Sequence, residues 1–246
     1  MKDFPKMKKP QNHTTYDEMF TKGGKDDPYQ LPYWLSCYYP MYLAVLDTIK
    51  RTGCSSVIEI GCGTGGLAHL LKDRHPVEYR GVDFSSVAIE KAIKRTNSPG
   101  SFFVADALSP EFYQNNESTI VCTEVLEHIP QDLKLVELWP VGSYCICSVP
   151  NYDSQYHERF FKDETEVISR YGHLIEIDRI KKIKKPILEN IATSNLLRHL
   201  RWNRYRPKRL LDLLGFGNFD EVGGWFVFSG ERRSPKHENN DFLAQP

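Results

Sequence analysis

The chain has 246 residues, 40% hydrophobic and 26% charged, and its 32 basic side chains balance 32 acidic ones to a formal net charge of zero. That length buries a core on a single sheet, so one elaborated α/β domain is expected rather than two. The balance leaves no bulk field to draw the molecule to nucleic acid or a membrane, and no apolar run approaches the roughly 20 residues that span a bilayer.

Residues 1–28 are polar and broken by Pro5, Pro10, Gly23, Gly24 and Pro28, which predicts a loosely ordered arm before a domain at 29–246. The Lys-rich start lacks the apolar centre of a signal peptide, so a cytoplasmic location is expected. From Tyr29 to Tyr42 the chain is crowded with aromatics, and Leu43, Val45, Leu46 and Ile49 continue it as an amphipathic helix. Val57, Ile58 and Ile60 form a short buried strand. It runs into Gly61-Cys62-Gly63-Thr64-Gly65-Gly66, after which Leu67, Leu70 and Leu71 mark a helical face. Such a turn lets backbone approach a bound nucleotide closely. Glu59 decides which kind, because a carboxylate on that strand end repels a pyrophosphate and attracts a cationic amine or sulfonium.

Three more strands follow the same logic. Tyr79–Ser85 ends in Asp83-Phe84-Ser85, with an acid about 20 residues beyond the glycines, where a carboxylate accepts ribose hydroxyls. Phe102–Ala107 ends in Asp106-Ala107, and an acid there can accept from an adenine amino group. Ser118–Thr123 leads into Glu124-Val-Leu-Glu127-His128. A fifth strand, Val141–Val149, is followed by the polar loop Asn151-Tyr152-Asp-Ser-Gln-Tyr-His157-Glu-Arg159; a helix over 162–171, a sixth strand over 173–183 and a last strand over 224–231 complete the pattern. The six cysteines sit mostly in apolar segments without metal-ligand or disulfide-framework spacing and read as reduced core thiols.

About 40 residues separate the last two strands, from Lys184 to Gly223, with helical patterns inside them; that is too long for a passive loop. Between Arg179 and Arg209 stand eleven Lys or Arg (179, 181, 182, 184, 185, 198, 201, 204, 206, 208, 209) against the single acid Glu189, an excess of +10. This concentrated charge suits an anionic, phosphate-bearing acceptor, with Arg201 and Arg204 as bidentate anion readers and Trp202 as a stacking surface; a solvated strand edge carries equal weight.

The set Glu59-x-Gly61-x-Gly63-x-Gly65, Asp83, Asp106 and Glu124-x-x-Glu127-His128, in this order, resembles the class I S-adenosylmethionine-dependent methyltransferases from about Val57 to Asn151. The resemblance implies a Rossmann-like, seven-stranded, mostly parallel sheet with helices on both faces, an N-terminal helical lid, and here a basic helical insertion at about 184–223. It implies that Glu59, Gly61, Cys62, Gly63 and Gly65 hold the methionine end of S-adenosylmethionine. Asp83, Phe84 and Ser85 would hold the ribose, Asp106 with Ala107 the adenine, and Thr123 and Glu124 the floor. Tyr33 would belong to the lid, and Tyr38, Asn151, Tyr152 and Arg159 to the acceptor side.

His128 is the natural general base for an acceptor hydroxyl, with Glu127 and His157 beside it. The leading expectation is O-methylation of a small polar acceptor such as a nucleotide-linked sugar or phosphate-bearing metabolite, with no metal. Glu124, Glu127, His128 and His157 also resemble in part the metal-binding set of the small-RNA 3′-terminal 2′-O-methyltransferases, so metal-assisted RNA methylation is the alternative. A non-catalytic S-adenosylmethionine-binding protein is the second alternative.

Overall fold

The computed structural model describes residues 13–22, 29–113, 119–185, 201, 204–205, 207 and 217–234. In chain order the principal elements are α1 (His13–Lys22), α2 (Tyr39–Thr52), β1 (Ser56–Ile60), α3 (Gly66–Arg74), β2 (Glu78–Asp83), α4 (Ser86–Thr96), β3 (Phe102–Val104), β4 (Thr119–Cys122), α5 (Asp132–Leu138), β5 (Tyr144–Pro150), α6 (Glu164–Tyr171), β6 (Ile175–Lys184), α7 (Phe219–Val222) and β7 (Gly224–Arg232).

The seven strands lie in the order β3-β2-β1-β4-β5-β7-β6. β1 pairs in parallel with β2 and β4, β2 with β3 and β4 with β5, while β7 inserts antiparallel between β5 and β6. The order reverses at β1 and β4, and a crevice opens beyond their carboxyl ends, where ligands of doubly wound sheets bind.

Strand alternation builds the two faces. Ile58, Ile60, Ile120, Cys122, Cys145, Cys147, Phe226 and Phe228 pack towards α5 and α6, whereas Val57, Val121, Ile146, Trp225 and Val227 pack towards α2 and α3. The cysteines are indeed free, and five of the six are buried. The switch of side chain at every residue also fixes Glu59: it shares the α2/α3 face with Val57, beneath the glycine turn.

One segment shows structure that the sequence did not suggest. The arm expected to be loosely ordered contains α1, which rests against α4 and the end of β2: Asp17 accepts a hydrogen bond from Ser85 Oγ, and Lys91 donates to the Phe20 carbonyl. The low apolar content of residues 1–28 hid this helix, because its packing rests on Tyr16 and Phe20 rather than on a continuous stripe. Most of the expected basic insertion, Trp202 included, lies outside the described residues. No helix among the described residues is long and apolar enough to cross a membrane.

Candidate active site

A cavity of about 500 Å³ runs along the carboxyl ends of β1 to β4. Its first half is built by backbone. Gly61 has φ +70°, and a Cβ there would meet Val125 Cγ2 at 2.2 Å, so only glycine lets the β1 turn pass under the β4 loop. At Gly63 a Cβ would meet nothing within 4 Å, because its outer side faces open space. Its N–H donates to Asp83 Oδ2 (2.9 Å), and Ser85 N–H donates to Asp83 Oδ1 (2.9 Å), so the acid is clamped in place by two backbone donors. Ser85 also caps α4 by accepting from Ala88 N–H at 3.1 Å.

Glu59 is 3% exposed and accepts a hydrogen bond from Tyr79 Oη. Burial pushes its carboxyl up to about 8, with Asp83 adding to the rise. No cation is paired with Glu59 in the structure's ion pairs among the described residues. Asp106, Ala107 and Leu108 line the far end, where Asp106 Oδ1 accepts from Leu108 N–H at 2.9 Å.

A roof closes this half. Tyr16 stands edge-on to Phe84 (5.1 Å between centroids) and to His128 (6.2 Å), and Phe20 packs on Tyr29 (5.1 Å). The Tyr29 carbonyl accepts from Thr64 Oγ1 and Arg95 Nη2, both at 2.7 Å. Tyr33 touches the cavity and packs its ring in the α2/α3 core, but its hydroxyl is spent on Asp73 at 3.1 Å.

The second half is acidic and aromatic. Glu124 takes φ +57°, uncommon outside glycine, and its N–H donates to Ser148 Oγ at 3.0 Å. Glu127 is fully buried and neither of its oxygens has a sound hydrogen bond; one lies 4.0 Å from His128 Nε2. Burial raises both glutamates, and Glu124 lifts Glu127 further, so the pair holds a proton that ordinary carboxyls would have lost.

His128 Nδ1 contacts the Tyr156 carbonyl (2.8 Å) and His157 Nδ1 the Tyr152 carbonyl (3.1 Å). Each carbonyl can only accept, so both rings carry their proton on Nδ1 and keep Nε2 as an acceptor. Burial brings His128 down to about 4 and also lowers His157. One ligand atom each from Glu127, His128 and His157 lies within 4.8 Å of the others. Tyr38, Tyr42, Tyr152, Tyr156 and Lys185 complete the wall.

Most residues singled out from sequence thus share one cavity: Glu59, Gly61, Cys62, Gly63, Asp83, Phe84, Asp106, Ala107, Thr123, Glu124, His128, Tyr33, Tyr38, Tyr152 and His157. Gly65, Ser85 and Glu127 stand directly behind the wall. Asn151 is engaged in fixing β7, accepting from Gly224 N–H at 2.7 Å. Arg159 turns away, donating to the carbonyls of Leu126, Ile129 and Pro130, and so does not stand in the acceptor wall. Arg201 and Arg204 are exposed and line no part of the cavity; Arg204 covers Tyr205 at 4.7 Å. Sequence reading missed Tyr16, Phe20, Arg95, Tyr156 and Lys185. Only a Tyr-x-x-x-Phe spacing could have pointed to the first two.

A methyltransferase-domain family model matches residues 57–138. Over 230 residues the chain is 29% identical to phosphoethanolamine N-methyltransferase 2 of Caenorhabditis elegans, covering 81% of this chain and 50% of that protein. The chain therefore spans about half the length of that curated relative. Among solved structures it resembles the N-methyltransferase NodS of Bradyrhizobium japonicum in complex with S-adenosylhomocysteine, at a TM-score of 0.55 and 15% identity over 89% of this chain and 97% of that one. It also resembles the methyltransferase domain of bacterial CtHen1-CN, at 0.52 and 18% identity over 79% of this chain and 100% of that one. At these identities the structural likeness is one of fold. Strand order and glycine turn match the fold of the class I S-adenosylmethionine-dependent methyltransferases, and the family model marks 57–138 as a methyltransferase domain.

Proposed function

We propose that the chain transfers a methyl group from S-adenosylmethionine to a small acceptor, and that the acceptor is an amine carrying an anionic group. The residues fit this cofactor. Glu59 is a buried acid that a cationic amino group would compensate, Asp83 is held rigid with lone pairs left for ribose hydroxyls, and the open side of Gly63 leaves room beside the turn. The cofactor supplies a sulfonium-activated methyl group, so what the protein must provide is alignment, dryness and a place for one proton.

The observation that carries the acceptor reading is Glu124, which lines a cavity walled by tyrosine rings with fully buried Glu127 behind it. A carboxylate in this wall calls for a positive charge, and an ammonium among Tyr16, Tyr38 and Tyr152 would meet Glu124 and ring faces. An amine must lose its proton before its lone pair can attack. The glutamates, with affinity for protons raised by burial, are better placed to take it than His128, which burial keeps neutral. Lys185, 5.0 Å from the Tyr152 ring, stands where an anionic tail would end. The phosphoethanolamine N-methyltransferase relative supports an acceptor of that kind.

Transfer to oxygen with a divalent metal is the second reading, favoured by the Glu127–His128–His157 cluster. There the two Nε2 atoms and a carboxylate oxygen would be the ligands, with each Nδ1 oriented by a backbone carbonyl.

The test is radiolabelled methyl transfer from S-adenosylmethionine to matched panels of small amines and hydroxyl compounds, with and without EDTA. Amine products formed equally with EDTA support the leading reading. Products confined to hydroxyl compounds and abolished by EDTA would replace it, and cofactor binding without transfer to either panel would point to a non-catalytic binding protein.

A further inference from the structure

The segment from Glu124 to Pro130 carries three of the chemically important side chains but no helix or strand, so something else must fix it. Its own hydrogen bonding is slight: His128 N–H donates to the Val125 carbonyl at 2.9 Å. Four of its other carbonyls are met by the loop after β5. Glu158 N–H donates to the Glu127 carbonyl at 2.7 Å. Arg159 Nη1 donates to the Leu126 and Ile129 carbonyls, the latter at 2.7 Å, and Nη2 to the Pro130 carbonyl at 3.1 Å. One guanidinium thus ties three peptide units across the turn.

Arg159 is held in its turn. Its Nη1 lies 3.4 Å from Asp132 Oδ2, and Asp132, 1% exposed, is fixed by a bidentate pair with Arg170 (2.7 and 2.6 Å) and by Tyr171 Oη (2.8 Å). The planar fork suits this role, since five N–H donors in fixed directions can serve several carbonyls where an ammonium is a point donor.

We propose that Arg159 is the positioning residue of the proposed methyl transfer, setting Glu127 and His128 by holding the backbone on either side of them. The inference rests on the proposed reading in which the glutamates take the proton and His128 shapes the pocket; Arg159 itself touches no substrate. Removing the fork leaves three carbonyls without this partner, and the Leu126 unit is inside the core. The 124–130 turn then opens while β1, β2 and the glycine turn stay as they are. A displacement of about an ångström at an aligned site costs on the order of 10² in rate.

Three variants separate positioning from plain stability: R159M, R159K and R170M. Arg170 shares Asp132 but touches no carbonyl of the 124–130 turn, so R170M reports what loss of the ion pair alone does. The first readout is hydrogen exchange of the 124–130 amides, which needs no acceptor. R159M should speed it at least tenfold, R159K less, and R170M should leave it near the wild-type rate. The second is turnover of phosphoethanolamine as the probe acceptor: kcat should fall roughly 10²-fold in R159M, partly recover in R159K and stay unchanged in R170M, with S-adenosylhomocysteine affinity within about twofold throughout.

Exchange of 124–130 unchanged in R159M, or accelerated equally in R170M, overturns the proposal. If R159M does not fold, R159K against wild type decides, and unchanged exchange in R159K overturns it. Altered exchange without turnover of the probe by any form leaves the positioning geometry standing and counts against the acceptor reading alone.

Discussion

Glu59 offers a prediction whose size follows from its burial. Its carboxyl, raised to about 8 by desolvation, is mostly protonated in the free protein at pH 7, while the proposed cofactor's ammonium requires it ionised. Ionising it costs about 1.4 kcal/mol at pH 7 and about twice that at pH 6, so cofactor Kd should fall roughly tenfold between pH 6 and 7 and level off near 8. Above that the ammonium itself titrates, near ~8 for an α-amino group, and affinity should turn down again. Calorimetry in two buffers of different ionisation enthalpy should count close to one proton released per cofactor bound at pH 6. Stability of the free protein moves the other way. A carboxyl raised on folding stabilises fully below its unfolded value of about 4.5, and that contribution is lost as pH rises towards 8. The thermal shift produced by the cofactor should therefore widen over that interval. In Glu59→Gln the rising limb should vanish and affinity at pH 8 should drop at least roughly tenfold. A wild-type Kd independent of pH between 6 and 8, with no proton released, would refute the placement of a cation against Glu59.

Asp83→Ala removes the acceptor for both Gly63 N–H and Ser85 N–H as well as the proposed ribose contact, so calorimetry should show cofactor affinity weakened by at least about tenfold, from the loss of one charge-assisted hydrogen bond of ~1.5–3 kcal/mol, with far-UV circular dichroism unchanged. Tyr16→Ala opens the roof between Phe84 and His128; stopped-flow dissociation of S-adenosylhomocysteine should quicken severalfold, and an unchanged rate would mean that α1 does not cover the site. His128→Ala should lower amine methylation by less than about tenfold if His128 only shapes the pocket, whereas a loss of ~10² or more in kcat would make it the base after all. Neutralising Arg201 and Arg204 together should leave the acceptor KM and its salt dependence unaltered, because both side chains are exposed away from the cavity; a raised KM would reinstate the basic insertion in acceptor recognition.

The cofactor half was legible because its chemistry is local. A glycine turn, an acid two residues before it and acids at the next two strand ends are set by period and spacing, and strand alternation alone assigns Glu59 to the α2/α3 face. The acceptor half is assembled from separate pieces of chain. Tyr16 comes from a helix whose polar sequence gave no amphipathic stripe, and Lys185 stands at the end of a strand whose basic residues read as a solvated edge. Arg159 shows the limit most clearly: an arginine in a polar loop beside His157 reads as an anion contact, and nothing in its neighbours says that three carbonyls 29 to 33 positions earlier will take its donors.

The same limit explains why His128 reads as a base in sequence and as a neutral ring in the fold. Its position after β4 would put it beside the methyl group of the proposed cofactor, and an unperturbed imidazole would titrate at a useful pH. In the fold Tyr16 covers it, the Tyr156 carbonyl holds Nδ1 and His157 packs at 5.1 Å, so a second proton on the ring would be buried near another imidazole. Desolvation outweighs the favourable carbonyl contact and leaves Nε2 as an acceptor across the physiological range. The glutamates beside it respond to the same burial in the opposite sense, because in their case desolvation favours the protonated form. One dry pocket therefore weakens the histidine as a base and strengthens the carboxylates. An ammonium acceptor of the proposed kind would be compensated by Glu124 at the cavity wall, and its proton would have a carboxylate oxygen to go to.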